Sequence, residues 1–551
     1  MTAAPVGARA PRFSICTPVH DPPLDLLIAC LDSILGQTYS DWELCLVDDG
    51  SQRADVLDEL RSRAARDPRI RLLERPEAGG IVVASNAALD LATGDFVVLV
   101  DHDDRIEPDA LDLAAAALDA DPTIDYLYTD EDKLSSDGTL YDTFLKPEWS
   151  PERLRSQNYC THLSVLRRSL VDDVGGFRDG FDGSQDHDLI LRVTERARSV
   201  HHIPAVLYHW CITPGSAAGD ASAKPYARKA GRRAVEDHLA RLGVDASVEH
   251  CATPGYYRSR RQPTSWPTVS IVIPTVGTSR PVWGIERPLV LAAIQSVLAV
   301  STYPRFEVIV VADPNTPIVV LDELVALDCM VVQGVDEFNF SARCNQGAAS
   351  STGDVLLFLN DDTLVEQPDW IETMVGFLTE PDVGVVGARL LYADGTLQHG
   401  GLLLNEQPLH IFHGFAGDDP GPFGLLEIDR EVSGVTGACF LTPRAIFDEL
   451  RGFSEEFRVA FNDLDYCLRV RGTGRRIIWS AHSTLFHFES QTRRPDADQH
   501  EIDLLYDRWG DELRSDPYGN PAFAPKQAVW LPASRATLWS ALRAKLDQLL
   551  R

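Results

Sequence analysis

The amino-acid sequence runs through one series of motifs twice in the same order, and this repetition limits the fold more than any other feature. Phe13-Ser14-Ile15-Cys16-Thr17-Pro18 returns as Val269-Ser270-Ile271-Val272-Ile273-Pro274-Thr275. An aromatic–Glu pair then opens an apolar run, in 42–49 and again in 306–313. Asn86-Ala87-Ala88 and Thr93-Gly94-Asp95 match Asn345-Gln346-Gly347 and Thr352-Gly353-Asp354, each leading to an apolar run that ends in acids. Gly175-Gly176-Phe177 with Gln185-Asp186-His187-Asp188, and Arg451-Gly452-Phe453 with Asn462-Asp463-Leu464-Asp465, close the two series. So many correspondences in a single order mark a tandem duplication.

Within each half, short β-branched runs bounded by Pro, Gly and Asp alternate with helical patterns. Continuous apolar strands joined by helices predict an α/β fold, with a mostly parallel sheet flanked by helices in each half. Ligands of open α/β sheets bind beyond the carboxyl ends of strands, which puts the Pro and Asp residues ending these strands on one crevice. The expected organisation is a disordered N-terminus (1–11), a first domain (12–250), a basic, Pro-containing linker (251–267), a second domain (268–500) and a C-terminal helical extension (501–551). The extension holds an amphipathic stretch, 534–550, whose apolar face (Leu538, Trp539, Leu542, Leu546, Leu549) suits packing on protein or contact with lipid.

Charge narrows the function. With 51 Lys+Arg against 82 Asp+Glu the net charge is −31, the wrong sign for a nucleic-acid binder. Docking to anionic lipid by bulk charge is disfavoured too, leaving only local clusters such as Arg258, Arg260 and Arg261. The 10 cysteines show no CxxC and read as reduced core residues. No apolar run reaches the ~20 residues of a spanning helix, and 1–11 lacks an apolar signal segment. These features predict a soluble intracellular protein.

The acids carry the chemistry. Val97-Val98-Leu99-Val100-Asp101-His102-Asp103-Asp104 and Leu356-Leu357-Phe358-Leu359-Asn360-Asp361-Asp362-Thr363 both run an apolar strand into clustered carboxylates. Crowded carboxylates repel unless a cation neutralises them, and Mg²⁺ or Mn²⁺ takes one or two such groups plus substrate phosphates. A solvated helix-capping turn explains one such cluster, but less readily two at matching positions. The pairs Asp186/Asp188 and Asp463/Asp465 each open a helix, so one acid reads as an N-cap and the other as a general base facing the crevice. About twenty residues later each half places a histidine after an apolar run, His209 and His487, as a metal or phosphate contact. There is no Walker loop, GxGxxG, HExxH or GxSxG. A pyrophosphorylase would need a Gly/Arg-rich loop where Thr17-Pro18 and Pro274-Thr275 stand. His410 and His413 lack a further ligand pair and read as pocket or core histidines.

Together these residues resemble the inverting family 2 glycosyltransferases of the GT-A fold. Asp130-Glu131-Asp132-Lys133, Lys146-Pro147-Glu148-Trp149-Ser150-Pro151 and Gly183-Ser184-Gln185-Asp186 are similar to the first domain of tandem enzymes of bacterial O-antigen and related surface-polysaccharide synthesis. Phe338-Asn339-Phe340-Ser341 and His487-Phe488-Glu489-Ser490 are similar to the second. The resemblance implies two tandem GT-A domains, each taking a nucleotide-diphosphate sugar and a Mn²⁺ or Mg²⁺ ion. Donor contacts fall on Thr17, Pro18, Asp49, Asp101 and Asp103 in the first domain, and on Pro274, Thr275, Asp313, Asn360 and Asp362 in the second. The ion falls to Asp103 with His209 and to Asp362 with His487; the catalytic bases are Asp186 and Asp463. Asn360 departs from the acidic first position of the motif, and Ala312 stands where the first half has Asp48. The expected acceptor is a lipid-linked or polymeric glycan, with peripheral contact at the inner face of the cytoplasmic membrane, and rhamnosyl or galactofuranosyl transfer are candidates. Two rivals remain: one working domain beside an acceptor-binding platform, and a non-catalytic carbohydrate-binding scaffold.

Overall fold

A computed structural model describes residues 12–212, 225–263, 265–335, 337–488 and 498–527. The N-terminal 1–11 and the amphipathic stretch 534–550 lie outside the described residues. Each half is built on one mixed sheet. In the first, the order is Ile70–Glu74, Trp42–Asp48, Phe13–Val19, Phe96–Leu99, Ser164–Arg167, Ile124–Leu134, Ser199–Cys211 and Arg105–Ile106. The first four strands are parallel, and Ser164–Arg167 runs antiparallel between its neighbours. The second sheet repeats this order from Met330–Gln333 to Thr363–Val365. Phe13–Val19 and Val269–Thr275 are buried along their whole length, as continuous apolar strands covered on both faces must be. In each half the chain leaves this strand to one side and returns on the other, so its carboxyl end sits at a topological switch point. This is the expected pair of tandem GT-A α/β domains.

The repeated motifs are repeated contacts. Glu43 accepts hydrogen bonds from Ser14 Oγ (2.7 Å) and Thr93 N (2.6 Å), and Glu307 accepts from Ser270 Oγ (2.7 Å) and Thr352 N (2.6 Å). The aromatic–Glu and Thr-Gly-Asp motifs are therefore two ends of one device that ties neighbouring strands. Asn86 pairs with the backbone N–H and C=O of Phe177, and Asn345 does the same with Phe453. A Cβ on Gly176 or Gly452, both at positive φ, would lie 2.7 or 2.5 Å from that asparagine's Oδ1.

The two domains are joined by more than a tether. Tyr257–Arg261, inside the segment read as a linker, is a strand paired with Ala246–His250. Its Arg261 is buried against Glu152 and Glu380, and Arg155 and Arg476 complete a buried network with Glu380 and Glu431. Arg258 and Arg260, in the basic cluster read as a lipid-docking candidate, share one carboxylate, Asp369. The helix Gln499–Trp509 begins the C-terminal extension. Beyond it, Asp516 accepts from Leu404 N of the second domain (2.7 Å), while Asn520 donates to Asp130 Oδ2 of the first (3.0 Å). Among the described residues no helix is long and apolar enough to cross a membrane.

Candidate active site

In the second domain a cleft of about 490 Å³ is lined by Pro274, Thr275, Asn360, Asp362, Asp463 and His487. The sheet gathers them: Val269–Thr275 ends there, Val355–Leu359 delivers the acids, and Thr363 pairs with His487 across antiparallel strands. His487 Nδ1 lies 2.6 Å from Gln398 Oε1, which fixes that nitrogen as the donor. Nε2 then turns toward Asp362 Oδ1 (3.1 Å) and Asn360 Nδ2 (3.3 Å). A lone pair and a carboxylate 3.1 Å apart need a proton or a cation between them. Asn360 Oδ1, buried and without a hydrogen-bond partner among the described residues, is a further oxygen at this point. This donor set fits a hard divalent ion. Thr275 donates to Asp361 Oδ2 (2.6 Å), and burial together with the Asp362 charge pushes the Asp361 carboxyl up to about 7. Asp313 pairs with Arg343 (2.6 Å); burial pushes its carboxyl up, but Arg343 and Asn315 outweigh this and hold it below the usual range.

The first domain differs. Asp49 accepts from Gly79 N and Gly80 N and pairs with Arg75 (2.8 Å). Pro18 O accepts from His102 Nδ1, while Thr17 is wholly buried with no partner for its hydroxyl among the described residues. Asp101 and the buried Asp104 come together with His162, their ligand atoms within 4.8 Å of one another. His162 Nδ1 meets Glu131 Oε2 (3.1 Å), itself paired with buried Lys146 (2.9 Å). A carboxylate behind an imidazole is the arrangement that orients metal-binding histidines. Asp103 is half-buried and stands outside this group.

His209 departs from expectation. Its Nδ1 lies 2.6 Å from Asp132 Oδ1 and its Nε2 3.0 Å from Glu107 Oε1, so two carboxylates occupy both ring nitrogens. Burial pushes its pKa down, but Asp132 and Glu107 raise it to about 9. With both ring nitrogens on carboxylates, His209 does not join the group of Asp101, Asp104 and His162. The cause is register. Ile106 N and Val365 N both accept the same role, donating to Ser33 Oγ and Ser296 Oγ, and they pair with Tyr208 and Leu485. His209 therefore corresponds to Phe486, and Trp210 to His487. A one-residue slip sends a strand side chain to the opposite face.

In each acid pair one member is locked in a buried ion pair and the other is left half-buried, and neither acts through an N-cap. Asp188 and Asp465 are fully buried and held by Arg192 (2.7 Å) and Arg469 (2.8 Å), whose remaining donors reach Gly176 O and Gly452 O. Neither helix start carries a side-chain cap. Asp186 and Asp463 are half-buried at the helix N-termini. Asn158 Nδ2 donates to Asp186 Oδ2 (3.0 Å), and Gly437 N to Asp463 Oδ2 (2.7 Å).

The model of the family described as "Glycosyl transferase family 2" matches residues 14–175 and 270–451. The chain belongs to glycosyl transferase family 2. It is 39% identical over 533 residues to the uncharacterized protein y4gI of Sinorhizobium fredii, covering 93% of this chain and 58% of that one. It is 38% identical over 531 residues to the O-antigen biosynthesis protein RfbC of Myxococcus xanthus, covering 93% of this chain and 40% of that one. The chain thus spans between two fifths and three fifths of these relatives' length. Staphylococcus aureus TarS 1–349 in complex with UDP-GlcNAc overlaps 41% of this chain and 66% of its own, at 19% identity and a TM-score of 0.35. Within this family 2 chain, Asp104 and Asp361 belong to the acid clusters already named, whereas His162 and Asn158 were not among the residues expected at the site. By sheet register His162 and Asn158 match Ala438 and Gly434 of the second half, so a search for repeated residue types passes over them. His410 and His413 do line the second cleft, paired with His399 (2.9 Å) and Tyr392 (2.7 Å).

Proposed function

We propose that the chain is a two-site, inverting glycosyltransferase that extends a lipid-linked or growing bacterial surface glycan from nucleotide-diphosphate sugars. The observation that carries this reading is the second cleft, where Asp463 and the Asp362/His487 pair face one cavity. The acceptor hydroxyl gives its proton to Asp463 as its oxygen attacks C1 and the C1–O bond to the diphosphate breaks. Base assistance of this kind is worth about 10²–10⁴-fold. One base without a carboxylate nucleophile suits a single displacement with inversion. Mn²⁺ or Mg²⁺ would be held by Asp362 and His487 in the second half and by Asp101, Asp104 and His162 in the first; when bound it supplies Lewis-acid stabilisation of the leaving diphosphate. Pro274, Asn360 and Asp313 in the second domain, and Pro18, Asp49, Asp101 and Asp103 in the first, are the proposed donor contacts.

Asp186 takes the base's role in the first half. Two sites let one chain build two linkages, and a product like that of the relative named for O-antigen biosynthesis is the favoured one, with rhamnosyl or galactofuranosyl transfer as candidates. The work would be done in the cytoplasm, on acceptors held at the membrane. The test is calorimetry with UDP, dTDP and GDP in the presence of Mn²⁺, joined to linkage analysis of the product. Two equivalents of nucleotide per chain are expected, with Asp186→Asn stopping one linkage and Asp463→Asn the other. One equivalent would make the other half an acceptor platform, and none would leave a carbohydrate-binding scaffold.

A further inference from the structure

Asn158 is tied to the proposed base of the first site, and its position is set by the second domain. The short helix Pro151–Ser156 precedes it. The start of that helix is seated on Glu431 of the second domain, which accepts from Ser150 Oγ and from Glu152 N (3.0 Å). Its Arg155 reaches Glu380, also of the second domain (2.7 Å). The chain leaving the helix is pinned again, Gln157 donating to Tyr256 Oη (2.9 Å) and Phe423 O (3.2 Å), and Thr161 Oγ1 to Asn158 O (2.7 Å). Asn158 thus has a fixed backbone. Its amide nitrogen must face Asp186, because a carboxylate accepts and cannot donate. The amide oxygen is left buried, with no hydrogen-bond partner among the described residues.

Resting on the reading of Asp186 as base, we propose that Asn158 is the positioning residue of the first site. Its Nδ2–H holds Asp186 Oδ2 so that Oδ1 takes the proton of the attacking acceptor hydroxyl. The second site has no such side chain, because Gly437 N holds Asp463 there. The first site accordingly works only with the second domain docked.

The experiment uses the full chain as wild type, Asn158→Ala, Asn158→Asp, Glu431→Gln and Asp186→Asn, with nucleotide sugar as donor and a membrane extract of the source cells as acceptor. Linkage analysis separates the two products, and calorimetry with UDP, dTDP and GDP reports nucleotide binding. Asn158→Ala removes the contact to Asp186 and is expected to lower the maximal rate of first-site transfer about 10-fold with little change in half-saturation, as loss of one hydrogen bond implies. Asn158→Asp keeps the oxygen and loses the N–H, so it lowers the maximal rate with little change in half-saturation. Glu431→Gln lowers first-site transfer alone. Nucleotide binding at both sites and the second linkage stay within about twofold of wild type in all three. Wild-type acceptor kinetics in Asn158→Ala, or parallel loss of nucleotide binding, overturns the proposal. Asp186→Asn separates the failures: if it still makes the first linkage, the base assignment falls as well; if it does not, only the role of Asn158 falls.

Discussion

Replacing His209 by glutamine tests the placement of this histidine between Asp132 and Glu107 against the metal-binding role that the family resemblance implies. The side chain is only 11% exposed, and its carboxylate partners raise its pKa from 6.5 to about 9. A folded pKa above the unfolded one stabilises the protein while the group is protonated in the folded state. The contribution is full below about pH 6.5 and is lost as pH rises through 9. A shift of about 2.5 units at about 1.4 kcal/mol per unit makes it up to about 3 kcal/mol. Urea unfolding of wild type and His209→Gln, followed from pH 6 to pH 9.5, should show the variant less stable at pH 6 and the gap closing by pH 9.5. Mn²⁺ affinity at the first site should be the same in both. If the two proteins keep parallel pH profiles, or if the glutamine variant loses Mn²⁺, the clasped imidazolium is the wrong description and the resemblance was right about this residue.

Other consequences are simpler to read. Alanine at His162 should abolish Mn²⁺-dependent nucleotide binding at the first site and leave the second intact, while Asp362→Ala does the reverse, both by calorimetry. Removing divalent ions with EDTA should stop both linkages, and adding Mn²⁺ should restore them. Glu380 holds Arg155, Arg261 and Arg476 in the buried interface, so Glu380→Ala should cost about 3–5 kcal/mol in unfolding free energy by stranding buried cations. A Cβ at Gly353 would lie 2.5 Å from Ser270 Oγ and 2.6 Å from Thr268 O; Gly353→Ala should cost about 1–3 kcal/mol in the same assay.

What the sequence discloses follows from what repetition can mark. The sheets, and the Glu–Thr-Gly and Asn–Gly-Phe ties, recur because both halves need them to stand, so reading the chain against itself finds them. The second cleft was legible for the same reason: Asn360, Asp362, Asp463 and His487 all line it. His209 misled because spacing from the preceding apolar run is shared with His487, whereas facing depends on a pairing register that spacing does not encode. The partners of the basic run Arg258 to Arg261, which are Asp369, Glu152 and Glu380, were not legible because they lie far away in sequence. Asn158 and His162 carry no repeat and no motif.

His162 rests on charged groups of the first half. Glu131 and Lys146 look like surface charges in the sequence, yet Lys146 is fully buried and both stand behind His162. Burying an ammonium is costly unless it is paired, and Lys146 is paired only because Glu131 faces it. Burial pushes the Glu131 carboxyl up, but Lys146 and His162 outweigh this and bring it down to about 2, so it stays charged behind the imidazole at neutral pH. Asp130, next to Glu131, is reached by Asn520 from the C-terminal segment, and Ser150, four residues after Lys146, by Glu431 of the second domain. The acids and the histidine of the first site thus rest on groups that the rest of the chain holds in place. The second cleft is assembled from its own domain's strands and helices. The two halves share the Glu and Asn ties yet hold Asp186 and Asp463 by different means, a side-chain amide in one and a backbone N–H in the other, so their asymmetry lies in the proposed site residues.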